Sequence, residues 1–468
     1  KLEKYTGIKM GTVHAKAPEP ATVNNPPQEG PDDIDFEHIP VKVERVVVDG
    51  VGRTKDDVII KEVRPLLKAE TFQEMVQKSH EVKQRMEKLG LFKRVGIFID
   101  TAKDSANKDS YEITFEVREF RPISGGMNTL IGNNDASLLF GVKLPNVLGR
   151  GEKVNGEYTH GTKQTRGYSV MMSKPLNANP EILLSGGIYQ FHGSYPWSGY
   201  KETDRGLDID LTFPSVLGMH SLRWDGVWRD LRSLSRTTSF AVREQAGHSL
   251  KSSLKHVFVR DMRDDGILPS SGSLLRLTQE YAGLGGNVEF SKQELELQFN
   301  KSLIWDTVVQ LSLAGGVMRP LHRKDDIRIN DRFFLGGPLT LRGFSLKGVG
   351  PHSDDHPAGN ALGAEAYWLC AAHIYTPLPF RPGKGGFGDL FRTHFFVNAG
   401  NLGNINFNDL QGSLKDMGND IRWACGWGIV LRMGRVARME LNYVVPMAVK
   451  QGDSVNPGLQ FGIGLSFL

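Results

Sequence analysis

The chain has 468 residues, and at roughly 150 residues per domain that length suits two to four domains, or one large closed sheet with a small companion. Its 57 basic and 53 acidic residues leave a net charge of +4 with no basic stripe, so no nucleic acid is expected among its partners. Cys370 and Cys425 stand far apart in no metal-ligand spacing, which speaks against a disulfide framework and a zinc site.

No apolar run reaches the ~18 residues of a transmembrane helix. A transmembrane β-barrel would hide its signal, because each strand is only about 10 residues of alternating polarity. No apolar h-region opens the chain, which argues against the secretory route. The first 40 residues hold the proline-rich, acidic run "PQEGPDDIDFEHIP". Such a composition buries too little apolar surface to fold, so residues 1–40 are expected to form a disordered tail.

From Val41 the pattern changes. "VKVERVVVDG" reads as a strand, and Thr54 with Asp57 as the cap of a helix that Pro65 stops. Thr71 and Glu74 form a capping-box pattern ahead of Phe72, Met75, Val76, Val82, Met86 and Leu89 at helical spacing, with Gly90 as the stop. "FKRVGIFID" and "YEITFEVREF" are strands; Tyr111, Ile113, Phe115 and Val117 share one face of the second. Strand, helix, helix, strand, strand predicts a small α+β domain over 41–120, its sheet covered on one side by both helices.

After Phe120 strands dominate. "LDIDLTF" sets Leu207, Ile209, Leu211 and Phe213 against Asp208, Asp210 and Thr212. "ELELQFN" sets Leu295, Leu297 and Phe299 against Glu294, Glu296, Gln298 and Asn300. "ARMELNYVV" sets Ala437, Met439, Leu441, Tyr443 and Val445 against Arg438, Glu440 and Asn442. In "QFGIGLSF" the apolar face is Phe461, Ile463, Leu465 and Phe467. A soluble sandwich would bury the apolar face, and a membrane barrel would turn it to lipid; local periodicity does not separate the two. Length does favour one: at roughly 20 residues per strand and loop, residues 121–468 give sixteen or seventeen strands, more easily one barrel than a sandwich.

"GGPLTLRGFSLKGVG" (Gly336 to Gly350) is neither a Walker loop, since no GK[ST] follows, nor a dinucleotide turn, since no strand–turn–helix frames it. A flexible surface loop remains the plain alternative. Against it stands Arg342 among Leu335, Leu339, Leu341, Phe344 and Leu346, side chains that would pack. In a lumen lined with carboxylates a guanidinium offers five fixed donors. "PHSDDHPAGN" reads as a solvated loop, and no catalytic motif appears, so neither an enzyme, a metal nor a cofactor is expected.

The small α+β domain followed by some sixteen strands resembles the POTRA-plus-barrel outer-membrane assembly superfamily. "FFLGGPLTLRGF" resembles its signature, an arginine–glycine–aromatic triplet on a loop folded back into the barrel. The likeness runs on through "GNALGAEAYWLCAAHIYTPLPF", "THFFVNAGNLG", "IRWACGWGIVLRMG", "MELNYVVPM" and "GLQFGIGLSFL", from about Val41 to Leu468. One POTRA domain, no secretory signal and a disordered N-terminus resemble the mitochondrial branch, whose members are core subunits of a sorting and assembly machinery. "QFGIGLSF" also resembles the C-terminal signal of mitochondrial barrel precursors. Two features depart from the family: Asn398 in "FVNAGN" replaces the acid of an Asp-x-Gly strand, and Leu468 follows the last aromatic.

The resemblance implies a mainly β fold: a 16-stranded transmembrane β-barrel over 121–468, with loop 335–362 folded inward, preceded by one POTRA domain. It implies insertion of β-barrel precursors into the mitochondrial outer membrane with the POTRA domain in the intermembrane space; the alternative is a protein-translocating pore. Implied partners are precursors, the lipid bilayer, other subunits of the machinery and an inner-membrane organising complex. The loop signature would be Leu341, Arg342, Gly343 and Phe344, with Glu440, Glu365 or Asn398 as partner of Arg342. A lateral seam would join Met127, Asn128, Thr129, Leu130 and Ile131 of "GGMNTLIGNN" to Gly462, Gly464, Leu465 and Phe467. Glycines weaken a strand there, or else allow curvature or bulges. A precursor's last strand could then pair with the first by β-augmentation.

Overall fold

A computed structural model describes residues 39–102, 109–132, 135–161, 165–233, 236–322, 327–353, 359–378, 387–434, 437–464 and 467. The expected tail lies outside these residues up to position 38. Ile39 and Pro40 already belong to the folded part: the Ile39 carbonyl accepts from the Phe72 N–H at 3.0 Å, and Pro40 bridges Thr71.

The N-terminal region builds a three-stranded sheet in the order β1 (Lys42–Asp49), β3 (Ser110–Glu119), β2 (Phe92–Thr101). Strand β1 is parallel to β3, and β2 is antiparallel to it. Helices α1 (Asp56–Val63) and α2 (Phe72–Lys88) bury Val58, Ile59, Met75, Val82 and Met86 against Ile113, Phe115 and Val117. The α2 cap is the one its sequence announces, the Thr71 hydroxyl accepting from the Glu74 N–H at 3.3 Å. The α1 cap differs. Lys55 occupies the position without a side-chain bond, because the Thr54 hydroxyl donates to Glu119 Oε1 at 2.7 Å. A tertiary carboxylate has taken the local capping group. Pro65 falls in a 3-10 turn, Arg64–Lys68, in line with a residue that cannot continue an α-helix.

The remaining strands form one antiparallel meander of sixteen. They are β4 (Ser124–Gly132), β5 (Asp135–Pro145), β6 (Lys153–Gly161), β7 (Arg166–Pro175), β8 (Leu183–Tyr195), β9 (Tyr200–Pro214), β10 (Met219–Ser233) and β11 (Gly247–Asp261). They continue through β12 (Gly272–Gly286), β13 (Phe290–Ser302), β14 (Val308–Pro320), β15 (Ala366–Thr376), β16 (Phe391–Gly403), β17 (Arg422–Met433), β18 (Ala437–Ala448) and β19 (Gly458–Gly464). Two short helices, α3 (Phe240–Glu244) and α4 (Leu410–Asn419), lie in connections.

Side-chain direction answers the question periodicity left open. Ile188, Leu207, Ile209, Phe299, Leu441 and Phe461 project from the outer wall, exposed, while Asp208, Glu440 and Asn442 turn inward and are buried. A wall apolar outside and polar inside is the arrangement of a membrane barrel, not a sandwich. The sheet curls until β4 and β19 come within 8 Å between Cα atoms, but among the described residues no backbone ladder joins them.

The N-terminal region is fastened to the barrel at the β5–β6 turn. Arg53 donates to the carbonyls of Pro145 (3.3 Å) and Phe120 (2.7 Å), Arg150 pairs with Asp57 at 2.8 Å, and Asn146 donates to Thr54 at 2.8 Å. Glu119 collects the β1–α1 turn, accepting from the N–H groups of Gly52, Arg53 and Thr54. Burial pushes the Glu119 carboxyl up, but these bonds outweigh it and hold its pKa below the ordinary 4.5.

Candidate functional site

The glycine-rich segment between β14 and β15 runs inside the barrel. Leu335, Leu341, Phe344 and Val349 bury against Phe290, Met318, Leu369 and Leu402 of the inner wall. Its backbone bonds cross to itself and to its surroundings: Val349 donates to Leu335 at 3.1 Å, and Phe333 and Ala364 exchange both bonds at its base. A flexible surface loop would show neither, so this segment is a packed tongue.

Arg342 is fully buried. Its Nε and one terminal nitrogen donate to Glu440 Oε2 at 3.3 and 2.9 Å. Arg438, on the same strand as Glu440, stands 3.1 Å from the other oxygen, Oε1. Asn442 donates to Oε2 at 2.9 Å and accepts at its own oxygen from the His394 ring at 3.0 Å. Glu440 is therefore the hub of a buried network, one carboxylate between two guanidiniums. Aromatic faces complete it: the Arg342 guanidinium lies 5.0 Å from the Phe396 centroid, and that of Arg438 lies 4.3 Å from Phe467.

Asn398 serves the tongue differently. With its amide oriented to satisfy both ends, it accepts from the Arg342 main-chain N–H at 2.6 Å and donates to the Ala424 carbonyl at 2.9 Å. It holds the backbone of Arg342 and leaves the guanidinium to Glu440. Glu365 stands just before β15, its carbonyl accepting from Met318 at 2.7 Å and its N–H donating to Asn404 at 3.2 Å.

Gly343 has φ +89°, and a Cβ there would sit 3.0 Å from that of Ala424 and 3.3 Å from Val444. Only glycine lets the tongue lie this close to the wall. Its N–H donates to Gln460 of β19 at 3.1 Å, and its carbonyl accepts from Asn456 at 2.9 Å. Ser345 donates to the Ser454 carbonyl at 2.9 Å. The tongue tip is thus bound to the last hairpin.

The seam residues fall as follows. Met127 on β4 is exposed on the outer face, Asn128 and Thr129 follow it, and Leu130 and Ile131 pair by backbone with Ser137 and Ala136. Gly462 and Gly464 face the lumen, where a Cβ on Gly462 would meet Phe467 at 3.1 Å and Pro338 at 3.2 Å. These two glycines make room for the tongue, and among the described residues neither β4–β5 nor β18–β19 shows a register shift, so no bulge forms there. Leu465 lies outside the described residues. Phe467 corrects its expected place on the apolar outer face: it is 4 % exposed, because the guanidiniums of Arg342 and Arg438 hold its ring.

A second anchor, at the base of the tongue, has no motif in the sequence. Asp331 receives two parallel bonds of 2.9 Å from Arg229 on β10, with Lys251 at 3.5 Å. Asn330 donates to Glu202, and the Lys292 ammonium lies over the Phe333 ring at 4.2 Å. Inward carboxylates are so numerous that spacing alone singles out none of these; the only hint is an acid eleven positions before Arg342 on the same segment.

A model of the Omp85 superfamily domain matches residues 146–467. The chain is 47 % identical to the sorting and assembly machinery component 50 homolog of Homo sapiens, over 98 % of this chain and 100 % of that protein. It is 46 % identical to homolog A of Xenopus laevis over the same shares. A SAM50-like protein of Drosophila melanogaster is 32 % identical over 93 % of this chain and 96 % of its own. In fold the chain is similar to BamA from Haemophilus ducreyi lacking POTRA domains 1-3: TM-score 0.72, 18 % identity, 91 % of this chain and 84 % of that one covered. The chain therefore belongs to the Omp85 superfamily, in the family of the sorting and assembly machinery component 50 homologues.

Proposed function

We propose that this protein inserts and assembles β-barrel precursor proteins into the mitochondrial outer membrane, as the core of a sorting and assembly machinery. The observation that carries the reading is the seam. Sixteen strands pair in sequence, yet β4 and β19 present their outer edges side by side without a ladder among the described residues. An unpaired edge in lipid leaves backbone groups that cost several kcal/mol each, and an incoming strand satisfies them. No bond is made or broken; the work is edge pairing.

In this reading a precursor's C-terminal strand adds to β4 between Met127 and Ile131, and the seam opens sideways. The tongue sets the other side of the gate. Arg342 and Gly343 bind β18 and β19 from within, so they hold the last hairpin in register while β4 is free to exchange. A lumen occupied by this tongue supports insertion over the alternative of an open translocating pore. The N-terminal α+β region acts as the POTRA domain, in the intermembrane space, at the end where precursors arrive.

The test is reconstitution of the full chain in liposomes with a urea-unfolded barrel precursor. Membrane-integrated, protease-resistant precursor is expected, and its loss when the precursor's last strand is deleted. Equal integration with and without that strand overturns the reading.

A further inference from the structure

Two cavities on the outer wall adjoin one another. One is a groove of about 1070 Å³ across β5 to β11. Its outward floor includes Gly156 and Gly226, flanked by Val142, Val170, Ile188 and Leu207, all exposed. Missing side chains at the two glycines leave a trough between apolar ridges. The other is a cup of about 350 Å³ nearer the β8–β9 and β10–β11 hairpins. Its cations are Lys201, Arg205 and Arg232, with His192 and His248 at the sides and Asp230 as the one carboxylate. Arg205 and Trp228 line both cavities.

The cup is built rather than incidental. Register places Lys201 opposite Arg232, Thr203 opposite Asp230 and Arg205 opposite Trp228, so three successive outward rungs carry these groups. Asp230 is already occupied by Arg232 at 2.7 Å, with His248 at 3.5 Å. Trp228 stacks on His248 at 4.9 Å and receives the Arg205 guanidinium at 5.2 Å. Three cations against one engaged carboxylate leave an excess of positive charge facing outward. Arg205 is the telling member, because its rung runs Tyr158, Tyr168, Gln190, Arg205, Trp228 along the lipid-facing wall, where an arginine is costly unless it reaches an anion.

We infer that the cup and groove together form a binding site for an anionic phospholipid, its phosphate-bearing headgroup held by Lys201, Arg205 and Arg232 and its acyl chains laid in the glycine-floored groove. The site rests on the membrane-barrel reading, not on precursor insertion. Charge complementarity selects an anionic headgroup, since basic side chains at the surface each add attraction for such lipids. Continuity with an apolar groove on the lipid-facing wall selects a lipid over a soluble anion.

The test is native mass spectrometry of the full chain in detergent, titrated separately with phosphatidylglycerol, phosphatidylcholine and inorganic phosphate. Wild type is expected to bind phosphatidylglycerol roughly tenfold or more tighter than phosphatidylcholine. The triple variant K201Q/R205Q/R232Q should lose that preference, whereas Arg260→Gln, an exposed cation at the other end of β11, should keep it. A heat-dependent gel shift shows that each variant is a folded barrel; should the triple variant fail it, Arg205→Gln alone is read instead. Equal binding of the two lipids by wild type overturns the proposal, as does a preference that survives the substitutions. Inorganic phosphate competing as well as the lipid would make it a soluble-anion site and overturn it equally. Lipid retention is read on the protein alone and precursor integration in liposomes, so either can fail without the other.

Discussion

Glu440 answers to two arginines: losing the carboxylate leaves two buried guanidiniums without it, and losing Arg342 removes both bonds to Oε2 and leaves Glu440 to Arg438 alone. Breaking a buried pair from one side costs about 3–5 kcal/mol. Arg342→Ala and Glu440→Gln should each lower the temperature of the heat-dependent gel shift and abolish most precursor integration. Arg342→Lys should fail nearly as far, since an ammonium lacks the guanidinium's two donors toward Oε2 and its planar face over Phe396. Normal integration by both Arg342 variants would refute the pinning role. Asn398→Ala exposes the other half of the anchor: it strands the Arg342 N–H and the Ala424 carbonyl, a loss of about 1–3 kcal/mol that the same gel shift reads.

Glu119 gives the pH prediction. Its folded pKa lies below 4.5, so its stabilisation is present above that value and is lost as pH falls through the folded pKa. The β1–α1 turn should become protease-sensitive on acidification below about pH 4.5, earlier than the barrel. Glu119→Gln should be weaker at neutral pH by about 1–3 kcal/mol and lose most of that acid dependence. An unchanged acid profile in the variant would remove Glu119 as its origin.

Among the elements, the tongue behaves as a piece of core. Its apolar side chains fill the lumen beside β13 to β16, and positive φ at Gly343 allows the contact with Ala424. Gly343→Ala combines a strained backbone with a 3.0 Å carbon–carbon approach, and either the tongue or β17 must shift. Limited proteolysis should cut between Gly336 and Gly350 faster in this variant, while Gly403→Ala, with no atom within 4 Å of its added carbon, should match wild type. The α1 start shows the reverse dependence: a local capping residue, Thr54, is drawn off by a carboxylate 65 residues away.

For the whole molecule, the seam between β4 and β19 carries no ladder among the described residues. A cysteine pair joining β4 to β19, placed in a background lacking the free Cys370 and Cys425, should block precursor integration when oxidised and restore it when reduced. Integration at the wild-type rate in the oxidised form would exclude lateral opening. The N-terminal region meets the barrel through polar contacts at the β5–β6 turn, Arg53 and Asn146 among them, so it is held in a defined place at one end of the barrel.

The sequence by itself determined the alternation of strands, the small α+β unit before them, and the presence of Arg342 inside a glycine-rich apolar run. Those are local facts: period, caps and turn residues are set by neighbours a few positions away. Tertiary structure alone decided which carboxylate meets Arg342, because Glu440, Glu365 and Asn398 are all polar and only the fold brings Glu440 to 2.9 Å while giving Asn398 the main chain. It alone revealed Asp331 and Arg229 as a second anchor, and it set Phe467 in the lumen, where two guanidiniums face its ring. Partners this far apart in the chain share no spacing; what joins them is the closing of a sheet around a buried charge that must be paired.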